Sequence, residues 1–153
     1  MSAMALDSVP AKNPGFGSNL IAADAENAAA PQKRTQPLKV LVVDDEPLIR
    51  WSVRRGLTKR GHEVYEAASA AETLAKIAAE GPFHAIVLDY RLPDRRDLSL
   101  LREVVEANHG GTVVMITAFG EPEMRDDARA LGARTVIEKP FQVADLIRLI
   151  ETV

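Results

Sequence analysis

Four short apolar runs each end on a group able to bind an ion or move charge. Leu38-Lys39-Val40-Leu41-Val42-Val43 closes on Asp44 and Asp45, Ala85-Ile86-Val87-Leu88 on Asp89, Val113-Val114-Met115-Ile116 on Thr117, and Thr135-Val136-Ile137-Glu138 on Lys139. Three crowded carboxylates repel one another, which raises their pKa values and makes the site a receiver of a hard divalent cation. Mg2+ is the expected cofactor, because it takes few protein carboxylates and keeps water and phosphate oxygens around it. A carboxylate beside such an ion can act as the nucleophile that takes a phosphoryl group. What remains is to neutralise three phosphoryl oxygens: the ion would hold one, the Lys139 ammonium a second, and the Thr117 hydroxyl with the Ala118 amide a third. Asp89, the one carboxylate ending its run, is the expected acceptor.

For these groups to meet, the runs must be strands of one parallel sheet that open at the same edge. The runs at 38–43, 85–88 and 112–116 are apolar throughout apart from Lys39 and Thr112, as strands covered on both faces are. His62-Glu63-Val64-Tyr65-Glu66-Ala67 is more polar and suits a sheet edge. Between the runs lie helix-period segments. The first begins near Pro47, stops at Gly61 and presents Ile49, Val53 and Leu57 at four-residue spacing. The second opens on the capping-box pattern Ser69-x-x-Glu72 and buries Leu74 and Ile77. The third carries Leu98, Leu101 and Val104 or Val105 and ends within Asn108–Gly111. The fourth runs from about Pro122 with Met124, Ala128 and Leu131 before Gly132, and the fifth spans Val143–Thr152 with Leu146, Ile147, Leu149 and Ile150. Five strands alternating with five helices predict a doubly wound α/β fold with a five-stranded parallel sheet. Ligands of such sheets bind at the carboxyl ends of the strands, and the flavodoxin-like order 2-1-3-4-5 is one such arrangement. Strands 1 and 3 would then be neighbours roughly 5 Å apart, so Asp45 and Asp89 could share the ion, with Asp44 supporting it from behind those ligands or through water.

The 153 residues suit one domain, assigned to 37–153, and leave no room for a second. Residues 1–36 hold three prolines, two glycines and balanced charge, with too little apolar content for a core, and are expected to be a disordered tail. With no cysteine there is no disulfide framework or thiolate metal site, which permits a cytoplasmic home. No apolar stretch is long enough for a membrane span, and no basic-then-apolar signal segment opens the chain. A net charge of −3 argues against a nucleic-acid surface. Arg50, Arg54, Arg55, Lys59 and Arg60 crowd the first helix without any DNA-reading motif.

On these residues, Leu38 to Val153 resembles a receiver domain of two-component response regulators. Asp44 and Asp45 match the family's acidic pair, Asp89 its phosphorylated aspartate, Thr117 its switch hydroxyl and Lys139 its lysine. The stretches Asp44-Asp45-Glu46-Pro47-Leu48-Ile49-Arg50-Trp51 and Asp89-Tyr90-Arg91-Leu92-Pro93 are similar to receivers of nitrogen-regulation-type activators. The resemblance implies that the backbone carbonyl of Arg91 completes the metal site. It also implies that a sensor histidine kinase or histidine phosphotransfer protein is the donor, and that phosphorylation reshapes the surface of helix 4, strand 5 and helix 5 for a downstream protein partner. The protein would be a monomer or a phosphorylation-dependent dimer and, apart from reactions at its own aspartate, no enzyme. Arg91 and Phe119 stand where the family lines the path of the hydrolytic water, and imply a long-lived phosphoryl group.

Three departures stand out. Val136 replaces the aromatic three residues before the lysine, Asp97-Leu98 replaces the Asp-Gly that opens helix 3, and no output domain follows Val153, so the chain is a stand-alone regulator or an excised receiver. Trp51 lies about 200° from the core stripe of helix 1; it serves either as an anchor for the kinase's helical bundle or as packing on a neighbouring loop. Two rivals remain. A phosphohydrolase would need a second acid/base group near the nucleophile, where Tyr90-Arg91 offers none. A flavin module would need a phosphate cradle after strand 1, where Asp44-Asp45-Glu46 repels phosphate.

Overall fold

The structure is a computed structural model that describes residues 36–118 and 122–153. The expected tail lies outside the described residues except for Gln36, and so does Phe119. Alternating strands and helices run in the order β1 (Lys39–Val43), α1 (Pro47–Lys59), β2 (Glu63–Ala67), α2 (Ala70–Glu80), β3 (Ala85–Asp89), α3 (Ser99–Asn108), β4 (Thr112–Thr117), α4 (Pro122–Ala130), β5 (Ala133–Glu138) and α5 (Val143–Ile150). The five strands are parallel in the order β2-β1-β3-β4-β5, with the polar β2 at one edge, as its composition predicts.

Two cores cover the sheet. On one face α1 and α5 bring Val53, Leu57, Leu146, Ile147 and Ile150 onto Val40, Val42, Val87, Val114 and Ile116. On the other, α2, α3 and α4 bring Ile77, Leu101, Val104 and Ala128 onto Leu41, Val43, Ile86, Leu88 and Met115. Alternate residues of the buried strands thus feed opposite cores, as the period of two requires. Of the expected helix stripes, Ile49, Leu74, Met124, Leu131 and Leu149 are half-buried rather than buried. Leu98 precedes the first turn of α3, and Leu100 joins Leu101 and Val104 inside. α1 ends at Lys59, two residues before the expected Gly61, whose φ of 92° turns the chain toward β2. β5 begins at Ala133, ahead of the apolar run, and its pairing with β4 shifts register between Ala133 and Thr135.

The capping box of α2 forms in altered shape. Ser69 Oγ accepts the N–H of Glu72 at 3.1 Å, but Glu72 reaches back to the N–H of Ala68 at 2.8 Å, one residue before the cap. The next free N–H groups of the helix, those of Ala70 and Ala71, donate to Asp94 at 2.8 and 3.0 Å. A link between β3 and α3 is thereby tied to α2.

Gly56 lets α1 and α5 lie close. A methyl group there would collide with Cδ1 of Ile147 and sit 3.3 Å from Cγ1 of Val143. At the amino-terminal edge of the sheet, Leu38 N–H donates to Nδ1 of the buried His62 at 3.0 Å, which leaves Nε2–H to donate to Glu151 at 2.7 Å. Arg60 adds two bonds of 2.7 Å to the same carboxylate. Burial would raise the Glu151 pKa, but the bonds from Arg60 and His62 prevail and hold it below its ordinary value.

Candidate functional site

Pairing of β1 with β3, in register from Val40 opposite Ala85 to Val43 opposite Leu88, delivers Asp44, Asp45 and Asp89 to one point. One carboxylate oxygen from each lies within 4.8 Å of the others. Asp44 and Asp89 are buried, at 2% and 5% exposure, while Asp45 is open to solvent. The Asp44 carboxylate accepts the N–H of Glu46 at 2.8 Å, and its backbone carbonyl accepts Arg50 at 2.7 Å. From β4 comes the fully buried Thr117, whose carbonyl accepts the Lys139 N–H at 2.8 Å. The lysine that follows β5 is so aimed at the centre.

The Lys139 ammonium lies 3.1 Å from Asp44, 3.3 Å from Asp89 and 2.8 Å from Glu46. Glu46 has no place in the site as read from the sequence; the available signal is its position as the third acid of one run. A cavity of about 300 Å³ opens above these groups, and Asp45, Asp89, Arg91, Ala118 and Lys139 line it. Asp45, Asp89, Arg91, Ala118 and Lys139 therefore border one space, while Asp44 and Thr117 are buried and do not line it.

The Asp89 carboxyl is pushed up to about 6, first by burial and then by the charge of Asp44, against the pull of Lys139. Asp44 is raised as well, by burial, opposed by its bond from Glu46 and by Lys139. The expected mutual repulsion operates, but burial outweighs it. Lys139 shows the reverse balance: burial lowers its pKa, and the bond to Glu46 with the charges of Asp89 and Asp44 raises it further than burial lowers it. The centre is a buried carboxylate paired with one ammonium that two further carboxylates share.

Val136 is buried, at 5% exposure, within the α4 side of the fold. Trp51 is 51% exposed on α1 with the Arg55 guanidinium 5.3 Å from its ring centre, so it stacks on its own helix. No helix among the described residues is long and apolar enough to cross a membrane.

The chain is similar to several known proteins. Sporulation initiation phosphotransferase F of Bacillus subtilis is 29% identical over 108 residues, which cover 71% of this chain and 86% of that protein. A CheY-like receiver domain from Methanospirillum hungatei superposes with a TM-score of 0.72 at 32% identity, covering 76% of this chain and 93% of its own. NtrX from Brucella abortus, the nitrogen-regulation type suggested by the sequence, gives 0.69 at 36% identity over 76% of this chain and 26% of that one. The chain spans about half the length of the transcriptional regulatory proteins among its curated relatives, 56% of PdtaR from Mycobacterium tuberculosis and 50% of CusR from Escherichia coli. Residues 40–151 match the response regulator receiver domain, and the chain belongs to that family of phosphoryl-accepting modules of two-component signalling.

Proposed function

We propose that Asp89 accepts the phosphoryl group, with Mg2+ held by Asp44, Asp45, Asp89 and the backbone carbonyl of Arg91. The observation that carries this reading is the buried Asp89 carboxylate facing a cavity with an ammonium 3.3 Å away. Of the four carboxylates of Asp44, Asp45, Glu46 and Asp89, three share the Lys139 ammonium as an ion-pair partner, Arg91 and Arg96 on the cavity lining make no ion pair with them, and a divalent cation would offset the remaining excess. Such an ion, when bound, neutralises a phosphoryl oxygen.

In the transfer a carboxylate oxygen of Asp89 bonds to phosphorus as the bond from phosphorus to the donor's imidazole nitrogen breaks, its electron pair staying on the imidazole. Lys139 neutralises one phosphoryl oxygen, and the Thr117 hydroxyl with the Ala118 amide takes another. The donor is a sensor histidine kinase or a histidine phosphotransfer protein. A groove lined by Leu48, Ile49, Lys139, Pro140, Phe141 and Val143 leads to the lysine, and Leu48, 72% exposed, offers an apolar contact beside it. Phosphorylation signals through α4, β5 and α5 to a downstream protein partner in the cytoplasm, the protein acting as a monomer or a phosphorylation-dependent dimer. With Val136 packed in the core, that signal passes without the swinging aromatic of the family's usual switch.

Asp89→Asn is expected to take no label from acetyl phosphate or from a phosphorylated kinase in Mg2+. Label equal to the parent's overturns the assignment.

A further inference from the structure

The link from β3 to α3 carries five charged residues, and three of them are fully engaged. Asp94 takes the N–H groups of Ala70 and Ala71. Arg95 bonds Ser99 Oγ at 2.9 Å and Glu103 at 2.7 Å, and its backbone closes a bridge with Leu92. Asp97 accepts the N–H of Ser99 at 2.9 Å. The guanidinium of Arg96, fixed between these anchors, has no hydrogen bond or ion pair among the described residues, and neither has that of Arg91. Both residues line the cavity over Asp89.

A guanidinium on the lining of this cavity, without a partner among the described residues, is a donor set open to an anion. Its planar fork matches the oxygens of a phosphoryl group, and a phosphoryl group is what the cavity would receive. The anchors on either side of Arg96 have already restricted the backbone, which lowers the ordering cost of gripping a ligand. Lys139 cannot do this alone, since Asp44, Glu46 and Asp89 share its ammonium.

We propose that Arg96 is a phosphoryl-binding residue, gripping the outer oxygens of a small phosphodonor before transfer and of the aspartyl phosphate afterwards. This rests on Asp89 as the acceptor and adds a residue that the acidic cluster and Lys139 do not supply. It has two consequences: small phosphodonors are captured at lower concentration, and the phosphoryl group is shielded from the water that would displace the Asp89 carboxylate.

The test uses the full chain in Mg2+, with acetyl phosphate as donor. Arg96→Ala is expected to raise the half-saturating donor concentration by about three- to tenfold and to quicken loss of the label by a similar factor, the range for a charge-assisted bond near solvent. Beryllium trifluoride, which mimics the phosphoryl group, should bind more weakly in step, and high salt should shrink the difference. The unfolding midpoint without ligand should not move, because the side chain has no partner to lose. Parent-like capture and decay in Arg96→Ala, with Asp89→Asn unlabelled, overturns the inference and leaves the acceptor standing. Full label on Asp89→Asn overturns the acceptor. A lowered midpoint in unliganded Arg96→Ala and Arg96→Gln alike would make the residue structural and also overturn the inference.

Discussion

The two edges of the sheet hold charged clusters built from the same ingredients in opposite proportion. At the carboxyl edge one ammonium, Lys139, is shared by Asp44, Glu46 and Asp89. At the amino edge one carboxylate, Glu151, is shared by Arg60 and His62. Burial acts against the ionised carboxylate in both places, yet Asp89 ends near 6 while Glu151 falls below its ordinary 4.5. Greater depth and the smaller share of hydrogen-bonding donors together separate the raised carboxyl of Asp89 from the lowered one of Glu151. The first edge keeps more carboxylates than ion-paired cations, and the second holds three elements together.

The largest effect is expected at the amino edge. Glu151→Ala removes the acceptor of Arg60 and of the fully buried His62 ring, and should destabilise the fold by about 2–4 kcal/mol in urea unfolding at pH 7. An unchanged midpoint would erase the contrast between the edges. A smaller effect of opposite sign is expected for Asp89→Asn, which should stabilise the protein by about 1–3 kcal/mol at pH 8 in the absence of divalent ions. The sign follows from linkage. Between 3.8 and about 6 the folded carboxyl keeps a proton that the unfolded chain has lost, so the parent loses stability as pH rises through about 6. The mutant should lack that loss, and unfolding curves at pH 4 and pH 8 measure it. Glu151, with its lowered pKa, contributes above 4.5 and fails only as pH falls through its folded value. The smallest effect sharpens the comparison: Asp45→Ala should weaken Mg2+ about tenfold or more by calorimetry, with little change in stability, because Asp45 is exposed.

Much of the carboxyl edge could be read from the chain because strands announce both their span and their direction. A continuous apolar run fixes where a strand ends, and parallel pairing then puts Asp44, Asp89, Thr117 and Lys139 on one side without further information. The amino edge could not be read this way. Arg60 and His62 meet Glu151 across about ninety residues, and no periodicity links a helix end to a helix end. Asp94 was hidden for the same reason, since its task is at α2 and not in its own loop. Glu46 lay within a motif that was noticed for its neighbours, and only its 2.8 Å approach to Lys139 shows its part. Helix stripes predicted the inward faces well, while their outer members Ile49, Leu74 and Leu149 came to rest at the rim of each core.

Gly56 gives the α1–α5 face a mechanical character. With no side chain at that position, Ile147 fills the seam between the two helices, and both helices rest on the same strands. The two helices therefore pack as one plate on that face of the sheet. A bulky residue at 56 would act as a hinge pin driven into that plate.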